Sequence, residues 1–380
     1  MIYADYAATS PLDPEILSVM LPYFSDTFGN GTSLHTFGRD AARAVETARE
    51  TVAKILGAEK REIYFTSGGT ESDNWAIRGV VGDEPRGKHV ITSAIEHHAV
   101  LETLAHLEKR GLEVTYLPVD ALGRVSPEDV KNAVKENTVL ISVMTANNEI
   151  GTVEPIGEIG KIAREAGIPF HTDAVQAAGT LDIDVRRDCV DMLSLSAHKF
   201  FGPKGVGVLY IRDGLTVKNL TFGGSQERDQ RPGTLNTPGI VGLAEALKKQ
   251  AFLREERESV TRKRAELIKN TVLSALPEAR LNGDPVNRLP GNISFFFPGI
   301  QAEGLLLLLD MKGIACSAGA ACSAGTVSIS HVLKAIRGEE AASGGTIRLS
   351  VCHLTTEKEA ETIVKTIVET VSQLKEKINR

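Results

Sequence analysis

Asp191–Met192–Leu193–Ser194–Leu195–Ser196–Ala197–His198–Lys199 reads as a short apolar strand that delivers two hydroxyls, an imidazole and a lysine to one spot. A lysine closing a buried strand is costly unless its amine is neutralised or covalently engaged, and carrying an aldehyde does both. Ser196 and His198 beside it can donate to an anion such as a phosphate. Upstream, Phe170–His171–Thr172–Asp173 reads as a second short strand, and it ends in a carboxylate. A lysine that carries an aldehyde, with an acid able to hold a pyridinium nitrogen, is the pattern of a pyridoxal 5'-phosphate site. Lys199 by itself would read as a surface lysine after a strand; Asp173 changes that reading.

Outward from these strands the text alternates. Helical spacing at Ala41–Leu56, Glu71–Val81, Ala99–Arg110, Pro127–Val134 and Ile156–Ala166 is interleaved with short strands at Glu62–Thr66, His89–Thr92, Glu113–Leu117, Val139–Met144 and Pro169–Thr172. This alternation predicts an α/β fold with a mostly parallel sheet covered on both faces, ligands gathering at the carboxyl ends of the strands. The charged segment Ala244–Asn270 reads as a long connector into a second domain. That domain holds strand Asn292–Phe297, helix Ala302–Met311, strand Gly345–Val351 and an amphipathic closing helix, Thr356–Ile378.

The chain of 380 residues is 42% hydrophobic, enough for a large core and two domains. A net charge of -6 argues against nucleic acid as a direct partner. The longest pure apolar run, Leu305–Leu309, is too short to cross a bilayer, and the acid Asp5 stands where a signal peptide needs basic residues. A cytoplasmic protein is the expectation. Cys189, Cys316, Cys322 and Cys352 contain no C-x-x-C pair, which argues against a disulfide framework and against a metal site.

Further donors fall after strands. Thr66–Ser67–Gly68–Gly69–Thr70 opens a helix whose positive end can meet a phosphate, with Gly69 and Thr70 converging on the same anion as Ser196 and His198; a plain helix cap would share the pattern. His97 follows a strand and can stack on a ring or move protons, or simply cap a helix. Asn148, in Asn147–Asn148–Glu149–Ile150–Gly151, can hold a carboxylate or phenolate oxygen or serve a turn, and Gln176 can donate to the same phenolate. Arg348 alternates with apolar Ile347 and Leu349, which leaves it facing the other side with Thr346, as a carboxylate clamp or an ion pair. Ala315–Cys316–Ser317–Ala318–Gly319–Ala320–Ala321–Cys322–Ser323–Ala324–Gly325–Thr326 is nearly all small residues and is expected to be mobile. Cys322 is the candidate nucleophile within it, Cys316 a space-filler, and Cys189 and Cys352 inert core thiols.

Taken together, Tyr3–Ala4–Asp5–Tyr6–Ala7–Ala8–Thr9, Phe65–Thr66–Ser67–Gly68–Gly69–Thr70–Glu71–Ser72–Asp73–Asn74, Glu96–His97–His98–Ala99–Val100, Asn147–Asn148–Glu149–Ile150–Gly151, Asp173–Ala174–Val175–Gln176, His198–Lys199, Gly233–Thr234 and Ser330–His331–Val332–Leu333 carry a family resemblance. The chain resembles, nearly end to end, the cysteine desulfurases of the NifS/IscS type, within the class-V aminotransferases and the fold-type I pyridoxal phosphate enzymes. The resemblance implies a large cofactor-binding domain at 15–255 with a sheet of the seven-stranded type. Residues 1–14 and 256–380 would form a smaller α+β domain carrying the cysteine loop at about 315–327.

It implies roles as well. Lys199 would hold the cofactor covalently, Asp173 would pair with the ring nitrogen, and His97 would stack over the ring between Gln176 and Asn148. Gly69, Thr70, Ser196 and His198 would bind the phosphate, joined by Thr234 from the other subunit of a homodimer. Arg348, with Asn148, would bind the substrate. Sulfur from L-cysteine would pass to Cys322 as a persulfide, leaving L-alanine, and on to an acceptor such as an iron–sulfur scaffold or a thio-modification enzyme. Two other readings stand beside this one: a selenocysteine lyase or related lyase, and a non-catalytic sulfur-relay or scaffold protein. Departures from the family pattern are the small-residue stretch around Cys322, Pro232 before Gly233–Thr234, and Ala197 where glycine is common.

Overall fold

The structure, a computed structural model, describes residues 1–318 and 329–378. In chain order the strands are β1 (Ile2–Tyr3), β2 (Ile63–Thr66), β3 (His89–Ser93), β4 (Glu113–Leu117), β5 (Thr138–Ser142), β6 (Phe170–Asp173), β7 (Met192–Ser196), β8 (Gly207–Ile211), β9 (Arg280–Leu281), β10 (Asn292–Pro298), β11 (Ile314–Ala315) and β12 (Gly344–Ser350). Seven of them build one sheet in the order β2-β8-β7-β6-β5-β3-β4. From β4 to β7 every pairing is parallel, and β8 is antiparallel to both β7 and β2. β2 therefore runs with the parallel set. Five of these strands, β2, β3, β5, β6 and β7, end at the same edge of the sheet with a loop that carries polar residues.

The sequence explains the burial. Every residue of β3, β7 and β8 is buried, as strands covered by helices on both faces require. The helix Thr36–Leu56 begins five residues before the apolar pattern does, and His35 caps it by accepting from the Gly38 N–H at 3.2 Å. It packs against Thr237–Phe252 over the core that includes Val52, Leu56, Phe65, Leu193 and Leu243.

The segment expected as one connector, Ala244–Asn270, is two helices. Thr237–Phe252 ends at Leu253 and Arg254–Ala275 begins there. The first buries Ile240, Leu243 and Leu247 in the core of the large sheet; the second buries Ile268 and Val272 in a separate core. One straight helix could not face both. β8, whose run Val208–Ile211 is wholly buried, adds a strand to those expected from the sequence.

The second core is organised on the antiparallel sheet β12-β10-β9, with Phe295 opposite Ile347. Ile363, Ile367 and Val371 of the helix Glu357–Ile378 pack onto it. β1 lies parallel to β11, pairing Ile2 with Ile314 and Tyr3 with Ala315. The start of the chain is thereby fixed beside the strand that leads toward Cys322. Among the described residues, no helix is long and apolar enough to cross a membrane.

Candidate active site

The strand ends meet in one cleft of about 290 Å³. β2 contributes Gly69 and Thr70 through the helix that follows it, β3 His97, β5 Asn148, β6 Asp173 with Gln176, and β7 Ser196, His198 and Lys199. Arg348 reaches the same cleft from β12. Ten of the residues singled out in the sequence are thus brought together.

Lys199 ends a short turn, Ala197–Lys199, directly after β7. Its Nζ donates to the carbonyl of Ala7 at 2.6 Å and to that of Ala8 at 2.8 Å. The first residues of the chain therefore hold the amine in place. Ser10 secures the same turn, its hydroxyl donating to the His198 carbonyl at 2.8 Å and accepting from the Phe201 N–H at 2.7 Å. Burial, then the charges of Lys199 and Lys204, push the His198 imidazole down to about 4, so it stands neutral at pH 7 and can donate a single hydrogen bond.

Asp173 closes β6, buried, with Oδ1 accepting from the Val175 N–H at 2.9 Å. Burial raises its pKa, while the nearby His97 and Lys199 act in the opposite direction. A buried carboxylate with few donors is suited to a cationic ring nitrogen. His97 is the cap its position allowed, and it also lines the cleft. It caps the helix His98–Glu108, Nδ1 accepting from the Ala99 N–H at 3.1 Å, and its ring faces the cleft. Burial lowers its pKa, which keeps the imidazole neutral.

At the other end, the helix Gly69–Val81 starts at the cleft with Gly68 as its N-cap, a residue with no side chain to cap the first turn. Gly68 has φ 153, outside the range that side chains tolerate, and a Cβ on Gly69 would lie 2.6 Å from Val175 Cγ2. The bare backbone leaves room for an anion between the helix N-terminus, Ser196 and His198.

Asn147 and Asn148 divide the two readings of their motif. Asn147 is the turn residue: its Oδ1 accepts from the N–H groups of Glu149 and Ile150 at 2.8 and 3.0 Å, and its Nδ2 donates to the Ile95 carbonyl at 2.9 Å. That leaves Asn148 facing the cleft. Gln176 donates to the Ala7 carbonyl at 3.0 Å. Arg348 is not on the surface: it is 2% exposed, donates from Nη2 to Asp5 at 2.9 Å and from Nη1 to the Asn148 carbonyl at 3.1 Å, and has a buried Nε with no partner.

An amine between a carboxylate and an anion cradle, with an imidazole over the space between, is a donor set that fits pyridoxal phosphate. Two sequence candidates are elsewhere. Thr234 is exposed and does not line this cleft. Cys322 lies outside the described residues. Cys316 sits against the second core, and burial, with Asp5 second, pushes its thiol up to about 12.

The site also contains residues that drew no role from the sequence: Asp73, Glu96, Glu149 and His331 line it. Glu96 accepts from the Ser93 hydroxyl at 2.6 Å and the Met144 N–H at 3.0 Å, and burial pushes it up to about 8. Ser330 donates to Glu149 at 2.6 Å, and His331 Nε2 is 2.9 Å from the Glu96 carbonyl. Acids next to apolar stretches were the available signal.

The family profile described as Aminotransferase class-V matches residues 2–363. A protein named Cysteine desulfurase IscS from Clostridium botulinum (strain Hall) is 49% identical over 379 residues, covering 99% of this chain and 95% of its own. A solved structure entitled NifS-like protein superposes with a TM-score of 0.90 at 38% identity, over 98% of this chain and 100% of its own. Another, SspA in complex with cysteine, has a TM-score of 0.80 at 39% identity, over 92% and 99%.

Proposed function

The chain belongs to the aminotransferase class-V family, and from that premise we propose that it is a cysteine desulfurase that uses pyridoxal phosphate held at Lys199 and collects sulfur on Cys322. One observation carries the reading: Lys199, Asp173 and Arg348 share a cleft to which both flanks of the Cys322 segment are tied. On one flank Ser317 exchanges two backbone hydrogen bonds with Arg348; on the other Ser330 binds Glu149. In the sequence, Cys322 comes four residues after Ala318 and eight before Ser330, between these two anchored flanks.

When bound, pyridoxal phosphate supplies the electron sink for bonds broken at the amino acid. The residues do the rest. Gly69, Thr70, Ser196 and His198 hold its phosphate, and Asp173 holds the proton on its ring nitrogen. Arg348 takes the substrate carboxylate, with its unpartnered Nε as the donor left open. Lys199, released from the Ala7 and Ala8 carbonyls, takes the proton from Cα. His97 serves proton transfer at the sulfur. The Cys322 thiolate attacks that sulfur; the Cβ–S bond breaks and an S–S bond forms. In sum, L-cysteine and the Cys322 thiol give L-alanine and a Cys322 persulfide, from which sulfur passes by thiol exchange to an acceptor protein for iron–sulfur assembly or thio-modification.

The homodimer belongs to this proposal. Phe24, Phe28, Leu34 and Phe222 are exposed, with Leu34 at 90% and Phe222 at 92%, apolar surface that a second copy would cover. Thr234, exposed in its own protomer, would complete the phosphate site of a second copy. A cytoplasmic location suits the free thiols Cys189, Cys316 and Cys352. The test is a visible cofactor band in the purified protein, absent from Lys199→Ala, together with alanine released from L-cysteine. A colourless protein that releases none would contradict the reading.

A further inference from the structure

Asp73 lies one turn into the helix Gly69–Val81, on the face that takes Ser72, Ala76 and Ile77 inward. It is 1% exposed, and its Oδ1 is buried without a hydrogen-bond partner. One oxygen of Asp73, one of Asp173 and one ring nitrogen of His97 lie within 4.8 Å of one another. Two ionised carboxylates this close in a dry interior repel strongly, and an unpartnered anionic oxygen has lost its hydration without replacement.

The groups around Asp73 do not offset a charge there. Asp173 on β6 and Glu96 after β3 both disfavour its ionised form. His171, on β6, has Nε2 3.6 Å from Asp73 Oδ1, yet burial pushes its pKa down to about 3, so it brings no positive charge. Its ring is flanked by the hydroxyls of Ser142 at 2.9 Å and Ser194 at 3.0 Å. His97 is likewise held toward its neutral form by burial. Asp173 is better served: it accepts from the Val175 N–H and feels the charge of Lys199, whereas Asp73 has the Ser194 hydroxyl.

We propose that Asp73 is a positioning residue that stands protonated beside Asp173, so that the two carboxyl groups hold a single negative charge between them with the proton on Asp73. The charge at the base of the cleft is then minus one, equal and opposite to one ring-nitrogen cation. A second charge would over-bind that cation's proton, and a neutral pair would leave it without a counter-ion. The inference rests on the cofactor reading above and assigns a role to a residue which that reading leaves unused.

The experiment compares full-length holoenzymes carrying Asp73→Asn or Asp173→Asn with the wild type, by infrared spectroscopy and by pH titration of the visible cofactor band. Asn keeps the shape of Asp73 and is neutral. The expected result is a carboxylic-acid band at neutral pH that disappears in Asp73→Asn, with the cofactor dissociation constant within about twofold of wild type and the titration of the visible band unmoved. Asp173→Asn removes the real charge and should weaken cofactor binding about tenfold or more. If Asp73 is ionised, Asp73→Asn loses no carboxylic-acid band and shifts the titration by about one pH unit or more, which overturns the proposal. An Asp73→Asn protein that does not fold also overturns it, since a neutral isostere should be tolerated. A wild-type protein that takes up no pyridoxal phosphate instead defeats the preceding reading.

Discussion

Arg348 is bound to Asp5 at 2.9 Å, an ion pair that joins the first residues of the chain to the strand β12 at the cleft. Asp5 holds Nη2 and the Asn148 carbonyl holds Nη1, which leaves Nε without a partner. Arg348→Lys keeps a charge but removes the planar pair of donors. The expected loss is about 1.4–2.7 kcal/mol, or about 10- to 100-fold in kcat/KM for L-cysteine, carried mainly by KM. Steady-state kinetics check this, and a change below about twofold would remove Arg348 from substrate binding.

The two cysteines of the small-residue segment should separate cleanly. With its thiol pushed up to about 12 by burial, Cys316 is a poor nucleophile at neutral pH. Cys316→Ser should retain most of the alanine production, and Cys322→Ala should lose it. Equal losses in both would make Cys316 a relay.

Glu96 yields a pH signature. Its pKa in the folded chain, about 8, lies above the ordinary value of 4.5. Its contribution to stability is therefore complete below about pH 4.5 and is lost as the pH rises toward 8, at about 1.4 kcal/mol per unit. Glu96→Gln is neutral throughout, so between pH 5 and 8 its stability should fall less steeply than that of the wild type by that amount. Urea unfolding at several pH values measures both slopes, and identical slopes would contradict the assignment.

Thr234 makes the dimer testable. Sedimentation should show a two-chain particle, and Thr234→Val should weaken cofactor binding about 10- to 100-fold by removing a hydrogen bond to a charged phosphate. A monomer with unimpaired cofactor binding would contradict the shared site.

Much of this site could be read from residue order because strands that end in a parallel sheet deliver their next residues to one edge. Lys199, Asp173, His97 and Asn148 each follow an apolar run, and the structure places all four at the cleft. What stayed hidden has a physical reason in each case. Asp73 lies in a helix with Glu71 and Asn74, where a carboxylate reads as a solvated charge; the packing of that helix across β5, β6, β7 and β8 buries it. The acceptors for Lys199 are backbone carbonyls of Ala7 and Ala8, which no side-chain pattern can announce. β1 and β11 are two residues long, too short for a period-two signal, although their pairing sets Asp5 beside Arg348. The break at Leu253 depends on two cores facing different ways, a fact of tertiary packing.

The most direct measurement incubates the purified holoenzyme with L-cysteine in the absence of reductant, then quantifies alanine and weighs the peptide that contains Cys322. The account predicts one alanine per chain in the first turnover, a matching gain of one sulfur atom on Cys322, and neither product from Lys199→Ala. Alanine released at the wild-type rate by Cys322→Ala, or with Cys322 unchanged in mass, would contradict it.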